Sequence, residues 1–251
     1  MVMRVLVSLI LGWSLSLPAS ADSVQVAVAS NFNGAMEQIA AAFRRDTGHT
    51  VTLMPAGTGR LYAQIKNGAP FDILLSADDQ TPRKLEEEGL AVSGSRFTYA
   101  LGKLVLWSAK PTTVDREGKV LRKGEFARIS LGNPKTVPYG KAAVEVLEHL
   151  GLLQTLEPRF VLGENVAHAQ QFVASGNAEL GFVAKSGVYR DGQLTGGSAW
   201  WIPDNLYSPI RQDAVLLKKG QDNVAAKALL DYLQSGTAQG IMTALGYGLN
   251  K

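Results

Sequence analysis

Short runs of small and β-branched apolar residues alternate along this chain with stretches whose apolar positions recur every three or four residues. The first run, Val24-Gln25-Val26-Ala27-Val28-Ala29, predicts a buried strand. Ser30-Asn31-Phe32-Asn33 carries it into a helix with Met36, Ile39, Ala40 and Phe43 on one face. Gly48 ends that helix after Arg44-Arg45, cations placed where the helix dipole is negative. The same order then recurs. Val51 to Met54 passes through Gly57-Thr58-Gly59 into Leu61 to Ile65, and Phe71 to Leu75 leads to a helix with Thr81 as N-cap and Pro82 in its first position, stopped at Gly89.

Leu101 to Ser108 reads as one long strand, with Pro209 to Leu217 as its late counterpart. Between them, Ile129 to Leu131 leads through Gly132-Asn133-Pro134 and Val137-Pro138-Tyr139-Gly140 into a helix with Ala142, Ala143, Val146, Leu147 and Leu150 inward. Phe160 to Leu162 leads through Gly163-Glu164-Asn165 into a helix from Val166 to Gly176, and Leu180 to Ala184 is another buried strand. Helices at Asn223 to Gln234 and from about Thr237 to Leu245 close the chain. Strands alternating with helices predict parallel βαβ units. The expected fold is α/β with two lobes, each an open, mostly parallel sheet flanked by helices, and a ligand cleft between them. The expected first lobe is discontinuous, residues 22–100 and 209–251, with 101–208 as the second.

Composition narrows the function. The 251 residues are 46% hydrophobic, enough for a buried core in each lobe. The net charge is +3, or +2 without residues 1–21, and no dense basic stripe appears, which argues against nucleic acid. Met1 to Arg4, the apolar Val5 to Leu17 and Pro18-Ala19-Ser20-Ala21 read as a signal peptide cleaved after Ala21, giving a soluble periplasmic protein. There is no cysteine, which excludes thiol catalysis, thiolate metal sites and a lipidated N-terminus. Enzyme signatures are missing too. His49, His149 and His168 fall in separate units, no nucleophile elbow occurs, and Gly57-Thr58-Gly59 lacks the remainder of a phosphate loop.

The strand-to-helix turns remain: Ser30-Asn31, Gly57-Thr58-Gly59, Tyr139-Gly140 and Asn165-Val166. Each taken singly is an ordinary helix start. Together, at the carboxyl ends of parallel strands, their unpaired N–H groups could surround an anion.

In order along the chain, Val26 to Met36, Gly57 to Ile65, Gly68 to Asp78, Gly132 to Gly140, Gly163 to Val166 and Ala178 to Ala184 resemble the motifs of periplasmic molybdate-binding proteins of ABC importers. The resemblance implies the type II periplasmic-binding-protein fold and a molybdate or tungstate ligand. It also implies no enzyme activity, no cofactor, a membrane permease with its ATPase as partner, and a monomer. Molybdenum would be present only inside the oxyanion, with no direct protein ligand. The family's donors map to Ser30, Asn31, Thr58, Tyr139 and Val166, the last two through backbone N–H. Thr58 stands where many relatives have Ser, and Ala184 where some have a donor Tyr, a contact that is either lost or taken over by Asn31. An all-donor site rejects phosphate, whose proton would be buried unpaired at about 1–3 kcal/mol. Sulfate is the nearest rival ligand, and an exported hydrolase using the same cleft is the rival from another class.

Overall fold

Val24, Val26 and Val28 bury one face of the first strand and Ala27 the other, so β1 (Ser23–Ala29) runs through a sheet covered on both sides. The computed structural model describes residues 22–249, and the expected signal segment with its cleavage after Ala21 lies outside them. The elements after β1 are α1 (Asn33–Thr47), β2 (Thr50–Ala56), α2 (Thr58–Lys66), β3 (Ile73–Leu75), α3 (Gln80–Glu87), β4 (Phe97–Gly102) and β5 (Leu104–Ser108). Then follow α4 (Val120–Lys123), β6 (Ile129–Gly132), α5 (Pro138–His149), α6 (Leu153–Leu156), β7 (Phe160–Gly163), α7 (Val166–Ala174) and β8 (Leu180–Ala184). The last are α8 (Lys185–Val188), the small hairpin β9 (Tyr189–Arg190) and β10 (Gln193–Leu194), β11 (Ser198–Trp201), β12 (Ile210–Leu216), α9 (Val224–Leu233) and α10 (Gly236–Ala244).

Two five-stranded sheets result, ordered β2-β1-β3-β12-β4 and β11-β5-β8-β6-β7. The βαβ strands are parallel: β1 with β2 and β3, β6 with β7 and β8. The strands next to the lobe crossings are antiparallel to their neighbours: β12 to β3 and β4, β5 to β8 and β11. Helices α1, α9 and α10 bury one face of the first sheet, while α2 and α3 bury the other.

The stretch Leu101 to Ser108 is not one strand. Gly102 pairs with Ile210 in the first sheet and Leu104 with Ala184 in the second, so the chain changes lobe at Lys103. Hydrophobicity does not report this break, because β5 is buried along its whole length and β4 over half of its own. A second expectation also fails. Helix α3 begins at Gln80, and Thr81 is not its cap: the Asp78 carboxylate accepts from Thr81 N at 2.8 Å and from Thr81 Oγ1 at 3.1 Å. A carboxylate is the stronger acceptor, and it lies one turn earlier.

The return strand β12 carries two wholly buried polar residues, Gln212 and Asp213. Asp213 accepts from Thr98 Oγ1 at 2.7 Å and from Arg96 Nη1 at 2.5 Å. The lobes meet. Ala29 and Ala77, at strand ends of the first sheet, share an apolar cluster with Val137, Tyr139 and Val166 of the second lobe. Gly59 N donates to Thr136 O at 3.3 Å, and Ser186 Oγ to Asn31 O at 3.2 Å.

Candidate functional site

Four strand ends bring the site together. After β1 a single 3-10 turn, Ser30–Phe32, precedes α1, and no side chain caps either. Thr58 opens α2 behind extended Gly57. Tyr139 is the second residue of α5, behind Pro138. Val166 opens α7 behind Asn165, whose side chain accepts from His168 N at 2.9 Å. The first N–H groups of a helix have no partner inside it, and the dipole makes that end positive.

All five sequence-derived candidates line one small cavity: Ser30, Asn31, Thr58, Tyr139 and Val166. Its lining includes no Asp, Glu, Lys, Arg or His. The space available to the centre of a water-sized sphere is about 10 Å³, near the minimum for one water molecule. Thr58 is buried, and its Oγ1 accepts from Ala77 N at 3.2 Å, which leaves the hydroxyl proton available to the cavity. Carboxylates close by in sequence do not line it: Asp78, next to the lining residue Ala77, accepts from Ser76 and Thr81 instead. Glu164 is exposed and faces Arg60 at 3.8 Å, and Asp72 accepts from Gln25 N near the start of β1 at 2.7 Å. Ala184 lines a neighbouring pocket of about 180 Å³ with Ser30, Asn31, Val166 and Ser186, not the small cavity.

Sequence reasoning missed the second layer. The Asn31 amide meets Gln212 Oε1 at 2.9 Å and the Tyr139 and Tyr247 hydroxyls at 3.4 Å. Tyr247 donates to Asn31 O at 2.6 Å, with Ser186 Oγ 2.9 Å away. Gln212 also touches the Tyr139 and Tyr99 hydroxyls at 3.2 and 3.1 Å, and Tyr99 reaches Ser76 O at 2.9 Å. Burial above all pushes the Tyr99, Tyr139 and Tyr247 phenols well above their ordinary range, so they stay neutral. Tyr139, expected to act through its backbone, therefore also anchors the layer behind Asn31. The available signal was Gln212-Asp213, a polar pair inside an apolar strand; nothing in the local pattern marks Tyr247.

Residues 24–248 match the family model described as bacterial extracellular solute-binding protein. The molybdate-binding protein ModA of Azotobacter vinelandii is 59% identical over 94% of this chain and 93% of its own. That of Rhodobacter capsulatus is 50% identical over 96% and 94%. Among solved structures, the Azotobacter vinelandii periplasmic molybdate-binding protein superposes with a TM-score of 0.88 at 43% identity, covering 91% of this chain and all of its own. With its two-lobed fold and relatives of this identity over almost the whole chain, the chain belongs to the molybdate-binding family of bacterial extracellular solute-binding proteins.

Proposed function

We propose that this protein captures molybdate, and tungstate with it, outside the cytoplasm and delivers it as a monomer to an ABC permease with its ATPase. One observation carries the ligand class: strand-to-helix turns from both lobes meet at one small cavity whose lining offers hydroxyl, amide and backbone donors and no charged side chain. A dianion with only acceptor lone pairs suits such a set, and several helix N-termini supply positive potential without an ion pair. The relatives named above, all molybdate-binding proteins, support the choice among oxyanions.

In this reading Ser30 and Thr58 donate hydroxyls, Asn31 its amide, and Tyr139 and Val166 their backbone N–H. An anion of four oxygens exceeds a space of about 10 Å³, so it enters only when the lobes part and is enclosed as they shut. Calorimetric titration with molybdate, tungstate, sulfate and phosphate tests the reading. Molybdate and tungstate should bind tightly and phosphate not at all. Sulfate or phosphate binding more tightly than molybdate would overturn it. Melting curves give a second check, since a ligand at a hundredfold excess over Kd stabilises by about 2.7 kcal/mol.

A further inference from the structure

Among the described residues, Asn31 Oδ1 is the one buried side-chain nitrogen or oxygen without a hydrogen-bond partner. It belongs to a residue that lines the small cavity, and the other end of its amide, Nδ2, meets Gln212 Oε1. Counting protons around the pair shows why the atom is stranded. Tyr99 has one hydroxyl proton but faces two acceptors, Ser76 O and Gln212 Oε1. The Tyr139 hydroxyl receives from both Asn31 Nδ2 and Gln212 Nε2, leaving its own proton without an acceptor. One donor and one acceptor are thus unmatched at the same spot, and a third group is contested.

Each carboxamide can be turned so that its N and O exchange places, a change diffraction rarely distinguishes. Turning Asn31 alone would set two oxygens 2.9 Å apart, and turning Gln212 alone would set two nitrogens there. The two amides therefore turn together or not at all. When both turn, every proton of Tyr99, Tyr139, Tyr247 and Gln212 Nε2 finds one acceptor, and only the Asn31 Nδ2 hydrogens are left without one. Tyr99 donates to Ser76 O. Gln212 Nε2 donates to Tyr99 Oη and Asn31 Oδ1, and Tyr139 donates to Gln212 Oε1. Tyr247 keeps its bond to Asn31 O. The Asn31 Nδ2 hydrogens then stand where the unpartnered oxygen stood, in a residue that lines the small cavity.

Resting on the oxyanion reading above, we infer that Gln212 is a positioning residue: through a chain that begins at the Ser76 carbonyl, it holds the Asn31 amide nitrogen toward the ligand. Gln212 thereby makes the pocket a set of donors only. In the opposite orientation an oxygen would face the ligand, repelling a dianion and accepting the proton of a hydrogen-bearing anion. Gln212 thus sets the choice between unprotonated and protonated oxyanions without lining the cavity.

The test combines two measurements. In the unmutated protein, the Asn31 side-chain amide resonances are followed by NMR as molybdate or sulfate is added. A large shift of both amide protons is expected; an anion that binds and leaves them in place overturns the inference alone. Failure to bind either anion overturns the functional reading and this inference with it. In Gln212→Met, of similar volume, molybdate affinity should fall about 10–100-fold, the usual cost of losing a group that orients a ligating side chain. Affinity for phosphate relative to molybdate should rise in the same variant. A merely structural role would weaken all anions in proportion, and that result would overturn the assignment.

Discussion

Replacing Gly57 with alanine should separate the two halves of the site without disturbing either. Gly57 has φ −71° and ψ 146°, extended backbone that alanine adopts freely, so the turn itself is unstrained. The added Cβ would instead lie 2.8 Å from Glu164 O and 3.3 Å from Asn165 Cβ, across the cleft. Glu164 and Asn165 are the turn that aims α7, so relief of the clash carries the Val166 N–H away from Thr58 by several tenths of an ångström. A hydrogen bond to a charged group contributes about 1.5–3 kcal/mol. Losing the bond proposed from Val166 should raise the Kd for molybdate about 10–150-fold, at about 1.36 kcal/mol per tenfold. Titration calorimetry on Gly57→Ala measures this, with Gly240→Ala, where an added Cβ meets nothing within 4 Å, as the control. The melting temperature without ligand should match that of the unmutated protein. A Kd within about threefold of the unmutated value, set against the single bond at stake, would refute the reasoning that direct contact across Gly57 determines affinity.

Four further outcomes follow from the geometry. Ser30→Ala and Asn31→Ala should each weaken molybdate binding about tenfold or more by removing a donor to a charged ligand; unchanged affinity in both, with the fold intact, would move the site elsewhere. Because burial raises the phenols behind Asn31, molybdate affinity should stay flat up to about pH 9, where an ordinary tyrosine begins to ionise, and a decline between pH 7 and 9 would count against a neutral network. Arg96→Ala leaves the buried Asp213 carboxylate without its cation and should cost about 3–5 kcal/mol, read as a fall in Tm of roughly 6–20 °C; a fall under about 2 °C would show that the pair contributes little. Burial raises the Asp78 carboxyl above 3.8 despite its bonds from Thr81 and Ser76. The folded protein therefore holds more protons than the unfolded chain just above pH 3.8, and stability from this group falls as pH rises through that window. Asp78→Asn should flatten that slope in urea melts, and an unaltered slope would assign it to other groups.

The alternation of strands and helices was legible because each apolar run and each amphipathic helix is a local pattern. The turns at Ser30, Thr58, Tyr139 and Val166 were legible for the same reason, since each sits at a change of period. The break at Lys103 was not, because residues on either side are apolar and differ only in which distant strand they meet. Nor was the layer behind Asn31. Tyr99, Gln212 and Tyr247 come from β4, β12 and the segment after α10, and only the sheet order brings them to one place. The capping of Thr81 by Asp78 could have been anticipated, as the carboxylate three residues earlier competes with any hydroxyl.

Gly102 precedes the residue at which the chain changes lobe, and a Cβ there would lie 2.3 Å from the Tyr139 hydroxyl and 2.7 Å from Gln212 Nε2. The absent side chain lets a ring of the second lobe rest against the pivot itself. Points near a pivot sweep short arcs, whereas the contact of Gly57 with Glu164 joins turns on opposite sides of the cleft. In the lobe opening proposed above, the floor of the pocket would travel little and its rim far. In the proposed reading an arriving anion would therefore meet a half-built receptor, with Asn31 already braced, and only the remaining donors would have to be brought in around it.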